Sequence, residues 1–242
     1  MFIKKFFIDN LKTLIYALLI AIFIRSIFIQ PFYIPSSSME PNLLVGDRLF
    51  VTKYTYGYSK HSFPFSPPIF KGRLLFSEPK RGDVIVFKTP ADNRTDYIKR
   101  IIGLPGDKIQ MLNGEIIINN NLIVRKKIND FVDINKQGNT KRLRKYKEYF
   151  IDIEIDVLDL MDNGIVDNTQ LYEVPKKHFF VMGDNRDNSQ DSRFLNRVGY
   201  VPVENLVGKA QFIFFSLENS RFFEIWKWPN SIRFERLMNK IK

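Results

Sequence analysis

An unbroken apolar run from Leu14 to Ile24 is the strongest constraint on this chain. Between Leu11 and Gln30 only Lys12, Thr13, Arg25, Ser26 and Gln30 depart from it. Roughly 20 apolar residues in a helix cross a bilayer, so residues 11–30 are expected to form one transmembrane anchor. Arg25 lies near an end, where its long stem carries the guanidinium to the interface for less than the ~2.5–3.5 kcal/mol of a mid-bilayer charge. Pro31, Tyr33 and Pro35 are expected to stop the helix. A cleaved leader needs small residues soon after the run, but Gln30-Pro31-Phe32-Tyr33-Ile34-Pro35 is bulky throughout, so a retained anchor is expected. Lys4, Lys5 and Lys12 stand against Asp9 alone. The excess of positive charge puts residues 1–10 in the cytoplasm and everything after Pro31 outside it.

At 242 residues the chain has room for one domain with an insertion or for two modest domains. It has no cysteine, which excludes disulfides, thiolate metal sites and a Cys nucleophile. His61 and His178 are the only histidines, so a three-imidazole zinc site is excluded. The net charge of +11 suits nucleic acid, anionic lipid or an acidic partner. With the basic excess outside the cytoplasm, the topology favours a phospholipid membrane and argues against nucleic acid. No metal and no cofactor is expected.

Beyond the anchor, strand patterns dominate. Val84 to Phe87, Tyr97 to Ile102, Lys108 to Leu112 and Glu115 to Ile118 are the clearest, and Asn113-Gly114 supplies the two positive-φ positions of a tight hairpin. Residues 57–79, rich in proline, are expected to be a ribbon or loop. Lys136 to Lys147 holds six bases and no acid, and Asp152 to Asp167 six acids and no base. They read equally as two strands matching charge across a ladder or as two solvated faces. Phe222, Phe223, Trp226 and Trp228 among Arg221, Lys227, Arg233 and Arg236 suit a membrane interface or an amphipathic core element.

Three segments carry candidate chemistry. Pro35-Ser36-Ser37-Ser38-Met39-Glu40-Pro41 sets serines just past the anchor, although such a cluster is commonly a turn. In Tyr97-Ile98-Lys99-Arg100-Ile101-Ile102, strand alternation points one of Lys99 and Arg100 inward. A lysine held among apolar groups loses solvation, its pKa falls, and it becomes an amine able to take a serine proton. The segment Gly183 to Arg193 fails as a calcium loop: from Asp184, Arg186 falls on a ligand position, Ser189 on the turn glycine and Leu195 on the bidentate Glu. It reads instead as caps and salt bridges, with Asp184 and Asp191 paired to Arg186 or Arg193.

Together these stretches resemble bacterial signal peptidase I, the membrane-anchored serine protease family that removes leader peptides. The resemblance rests on PSSSMEPNLLVGD within residues 30–47, RGDVIVFK at 81–88, YIKRIIGLPGDK at 97–108, and GDNRDNSQDSR with VPVENLVGKA within 180–210. It implies Ser38 as nucleophile, Lys99 as general base, and an oxyanion hole of the Ser36 hydroxyl and the Ser38 N–H. It also implies Ser189 orienting the lysine amine, Asp184, Asp191 and Arg193 in support, and Phe32, Ile34, Pro35, Leu43, Tyr97 and Ile98 lining shallow pockets for small substrate side chains. Ser37 stands where the family often has glycine.

The implied fold is mostly β: an antiparallel β-sheet catalytic core (31–107 and 177–242) with an inserted accessory β domain (108–176), after one N-terminal transmembrane helix. The implied partners are signal peptides of exported preproteins, bound as an added strand and cut after Ala-x-Ala. The implied location is the cytoplasmic (inner) membrane, single-pass, with the catalytic domain periplasmic. Rival readings are a soluble self-cleaving repressor, for whose DNA-binding domain the anchor leaves no room, a Ser-His hydrolase using His178, and a catalytically inactive membrane-tethered β-rich binding protein.

Overall fold

The computed structural model describes residues 2–134, 140–218 and 224–242. The apolar run lies in helix α1 (Phe2–Ile27), whose segment Asn10–Ile27 is apolar and long enough to cross a membrane and is only 6% buried by the rest of the protein. A helix that buries so little of its apolar surface is compatible with membrane anchoring. It stops at Ile27, short of the expected Gln30. Lys53 N–H donates to the Phe28 carbonyl, and Ile29 to Tyr33 pair with Arg48 to Thr52, so these residues join a sheet instead. Pro31 is tolerated there because the strand is an edge.

The helix leads into β1 (Ile29–Tyr33), β2 (Asp47–Thr52), β3 (Val84–Lys88) and β4 (Asp96–Gly103). Next come β5 (Lys108–Leu112), β6 (Glu115–Ile118), β7 (Asn121–Leu122), β8 (Val124–Lys127), β9 (Phe131–Ile134), β10 (Thr140–Leu143), β11 (Lys145–Tyr149), β12 (Glu154–Leu158) and β13 (Tyr172–Glu173). The chain returns through β14 (His178–Met182), β15 (Val201–Pro202) and β16 (Leu206–Ser216). A seven-stranded sheet, β1-β2-β16-β3-β4-β14-β15, is antiparallel throughout. Residues 108–173 form smaller antiparallel sheets, β13-β5-β6-β7, β12-β11-β8 and β10-β9. The fold is therefore mostly β with one N-terminal apolar helix.

Local chemistry explains several elements. Leu112 pairs with Glu115 around Asn113 and Gly114, whose φ angles of 49° and 77° give the expected two-residue turn. The opposed charge blocks do meet across a ladder, since Lys147 lies opposite Asp156 and contacts both Asp156 (3.4 Å) and Glu154 (3.2 Å). The part of the basic block from Lys136 to Asn139 lies outside the described residues. Residues 57–79 hold only a short 3₁₀ turn, Lys60–Ser62, and a bridge between Tyr58 and Leu74. Of the C-terminal aromatics, Trp228 packs on Phe215 at 5.0 Å and Trp226 is exposed. Arg236 pairs with buried Asp47 at 2.6 Å; Arg221, Phe222 and Phe223 lie outside the described residues.

Three apolar clusters fill the interior. One holds Ile34, Met39, Leu43, Leu49, Val84 and Val86; a second holds Ile85, Phe87, Ile101 and Val181 on the opposite face of the same strands. A third joins Ile102, Phe180 and Met182 to Ile109, Ile116, Val157 and Tyr172 of the smaller sheets. The central strands are thus covered on both faces, which decides what happens at Lys99.

Candidate active site

Ser37–Met39 forms a single 3₁₀ turn entered through Ser36, which is extended and whose side chain does not cap the turn. The first N–H groups of such a turn have no acceptor within it, so the Ser38 N–H is a donor the turn leaves unused. The turn is fixed from across the chain. Asn185 N–H donates to the Ser38 carbonyl (3.1 Å) and its Nδ2 to the Ser37 carbonyl (3.1 Å), while Asn188 Nδ2 donates to Ser37 Oγ (2.7 Å). Ser37 therefore has its own tether where glycine is common in the family it resembles.

Lys99, on β4, reaches Ser38: Nζ to Oγ is 2.6 Å, and Lys99 is only 4% exposed. Burial pushes its pKa down from 10.5 to about 8; Asp191 and Asp184 pull it back up and Arg193 opposes them. Ser36 Oγ lies 3.4 Å from Ser38 Oγ. The nucleophile, base and second hydroxyl expected from the sequence are thereby brought together.

The expectation that only one of Lys99 and Arg100 points inward needs correction, because both are buried. Strand alternation sends them to opposite faces, but both faces are covered. Arg100 forms a two-point pair with Asp184, Nε to Oδ1 2.8 Å and Nη2 to Oδ2 2.7 Å, and also donates to the Gly82 carbonyl. Asp184 hence pairs with Arg100 rather than with Arg186 or Arg193, and it also accepts from Asn42 Nδ2 (2.7 Å). Asp191 does pair with Arg193, at 2.8 Å twice, and both are fully buried. Burial alone would push the Asp191 carboxyl up, but Arg193 and the Gly183 N–H hold it below the ordinary carboxylate range. Arg186 pairs with Glu148 of β11 through two bonds of 2.5 and 2.6 Å.

Ser189 Oγ is buried beside Gly183 and makes no hydrogen bond to Lys99 among the described residues. Gly183 is a residue that motif chemistry passed over. A Cβ there would lie 2.5 Å from the Ser38 carbonyl oxygen and closer still to Ser189 Oγ. Its absence lets the 183–193 loop press against the serine turn. Asn185, Arg100 and Asn42 were likewise missed as site residues; nothing in a strand or loop pattern marks their partners, which lie 84 to 148 residues away.

The pocket residues divide. Ile34 and Leu43 are buried in one apolar cluster with Phe32 and Ile98 against it, Tyr97 packs in another with its ring 5.7 Å from Lys99 Nζ, and Pro35 is exposed. Two backbone edges adjoin them: β1 ends the sheet, and residues 96–99 of β4 pair with β3 while β14 engages only Arg100 and beyond. His178 Nδ1 lies 2.9 Å from the Lys176 carbonyl and has no part in this site. No group of three metal-ligating side chains occurs among the described residues.

Residues 7–215 match the family described as signal peptidase, peptidase S26. Signal peptidase I of Rickettsia typhi is 40% identical over 236 residues, covering 94% of this chain and 85% of the relative. That of Rickettsia canadensis is 39% identical over 240 residues, covering 96% and 86%. A solved signal peptidase I from Enterococcus faecalis covers 55% of this chain and 97% of its own at 22% identity and a TM-score of 0.33, too slight a likeness to bear on the fold. On the family match and the Rickettsia relatives, the chain belongs to the signal peptidase family, peptidase S26.

Proposed function

We propose that this peptidase is a membrane-anchored serine endopeptidase that removes signal peptides from exported preproteins, cutting after small residues with Ser38 as nucleophile and Lys99 as general base. The observation that carries this is the 2.6 Å contact of Ser38 Oγ with a lysine amine buried among apolar groups. A neutral Lys99 takes the Ser38 proton as Oγ attacks the scissile carbonyl. The oxyanion forms within reach of the Ser38 N–H and Ser36 Oγ. Lys99 then protonates the leaving amine, and, neutral again, deprotonates the water that hydrolyses the acyl-enzyme.

The buried Asp184–Arg100 and Asp191–Arg193 pairs fix the charges around Lys99, and the buried Ser189 hydroxyl, unbonded among the described residues, is the one assigned to orient its amine. An extended substrate suits the open edges of β1 and residues 96–98 of β4. The walls of Phe32, Ile34, Leu43 and Ile98 are bulky and packed, which leaves room for little beyond a methyl group and supports Ala-x-Ala selection. Residues 108–176 are read as an accessory insertion, residues 1–10 as cytoplasmic, and the sheets as periplasmic.

Cleavage of a preprotein in detergent micelles tests the assignment, with the cut read by mass spectrometry. The wild type is expected to cut after a small residue, and Ser38→Ala and Lys99→Ala to fail while folded. Cutting by either variant places the nucleophile or base elsewhere, and no cutting by any form favours a tethered binding protein.

A further inference from the structure

A cavity of about 340 Å³ lies where α1 gives way to the first sheet, lined by Arg25, His61, Phe63, Phe65, Lys88 and Arg94 among others. Its volume falls within the ~300–1,000 Å³ of small-ligand sites. It holds none of the serine-lysine residues or the apolar substrate walls, and it meets the proposed substrate edges only at Gln30 and Asp96. We propose that this cavity seats the phosphodiester headgroup of an anionic phospholipid, drawn from the bilayer that α1 crosses.

Four observations carry the proposal. First, position: Arg25 is in the last turns of α1, and the adjoining ribbon is tied to the helix end by Tyr58 Oη donating to the Ile27 carbonyl (3.1 Å), so the cavity opens at headgroup depth. Second, charge: Arg25, Lys88 and Arg94 line the cavity against Asp96 alone, which is already engaged by Lys88 at 2.9 Å. Lys53, just behind, is 1% exposed and, among the described residues, its amine donates to the Ser62 carbonyl alone (2.6 Å). Burial first, and then Arg25, pushes its amine down to about 8. These cations repel one another, and a phosphate among them relieves the repulsion.

Third, an orphaned donor: His61 is 4% exposed, and its Nε2 has no hydrogen-bond partner among the described residues. Burial and the surrounding cations keep the ring neutral, with a pKa near 4. With the Ser66 hydroxyl, 2.9 Å away, assigned as donor to Nδ1, the ring proton sits on Nε2, ready for an anionic oxygen. Such a buried, unused donor is costly unless something fills it. Fourth, an apolar rim: Phe65 is fully exposed beside the basic groups, as suits a site whose ligand continues into acyl chains.

The proposal rests on α1 being a membrane anchor, and flotation of the full chain with phosphatidylcholine vesicles tests that part separately. Full-length protein carried in mixed-lipid nanodiscs and released for native mass spectrometry tests the site. One phosphatidylglycerol is expected to stay bound with at least tenfold preference over phosphatidylcholine. Arg94→Gln, a surface change that spares the fold, and His61→Phe, which fills the space, are each expected to reduce that preference about tenfold. Equal retention of both lipids, or unchanged preference in both variants, overturns the site while flotation stands. Inorganic phosphate displacing the lipid as well as short-chain phosphatidylglycerol does overturns the lipid assignment in favour of a free anion.

Discussion

The depressed pKa of Lys99 has a consequence for stability as well as for rate, and the two can be measured on one variant. In the unfolded chain the Lys99 amine titrates near 10.5, and in the fold at about 8. Below pH 8 it is protonated in both states, and the folded protein carries a desolvated charge. Above 10.5 it is neutral in both and the penalty is gone. Between them the unfolded chain binds more protons, so stability rises with pH. At 1.36 kcal/mol per pH unit the rise is about 3 kcal/mol. Replacing Lys99 by Met, of similar length and without the charge, removes the penalty.

The unfolding free energy of Lys99→Met minus that of wild type is therefore expected to be largest below pH 8 and to shrink by about 3 kcal/mol by pH 10.5. Other titrating groups cancel in the difference to first order. Urea unfolding of both proteins in the same uncharged detergent, at half-unit pH steps, reads it directly. Wild-type kcat/KM should rise about tenfold per pH unit below 8 and level off above it. A stability difference flat from pH 7 to 10.5 would show that Lys99 is not desolvated as its burial requires, and a rate governed near pH 6.5 and lost in His178→Ala would replace it as the base.

Other perturbations separate the parts of the site. Ser36→Ala is expected to lower kcat by about 10²-fold with little change in KM, as for loss of one oxyanion donor; an unchanged kcat removes Ser36 from that role. Gly183→Ala forces a methyl group against the Ser38 carbonyl and Ser189, so activity should fall by more than an order of magnitude even where the melting temperature drops by only a few degrees; wild-type kcat would refute the close approach. Glu148→Gln strands the buried Arg186 charge and should destabilise by about 3–5 kcal/mol, whereas Glu148→Leu with Arg186→Met should come within about 1 kcal/mol of wild type. Chemical denaturation of the three proteins decides between that and a surface-like pair, for which all would match wild type.

What was legible in the sequence is what local chemistry writes. The Asn113-Gly114 turn, the strands around Lys99 and the apolar helix each follow from residues within a few positions. Ser38 and Lys99 were singled out by the resemblance to signal peptidase I, which chose among the serines and bases that residue chemistry left open, and the fold sets the two side chains 2.6 Å apart. What was not legible is pairing across the fold. Alternation along β4 predicts opposite faces for Lys99 and Arg100, but not that each face meets another layer, so the burial of Arg100 and its capture of Asp184 stayed hidden. Arg186 likewise has an acid two positions before it and another directly after it, yet it reaches Glu148, 38 residues back. The use of Gly183 is a matter of clearance to a turn 145 positions earlier in the chain, which no spacing rule reports.

The place of the last strand in the sheet has a consequence for when the enzyme becomes competent. Strands β2 and β3 do not pair with each other; β16, the final strand, lies between them. Ser38 precedes β2 and Lys99 follows β3, so within the sheet the two halves that carry them are joined through β16, and outside it by the Asn185 and Asp184 contacts of the 183–193 loop. Pairings so distant along the chain close slowly. On the proposed Ser38–Lys99 mechanism, proteolytic competence is expected to come late in folding, as the sheet and the 183–193 loop close around the pair.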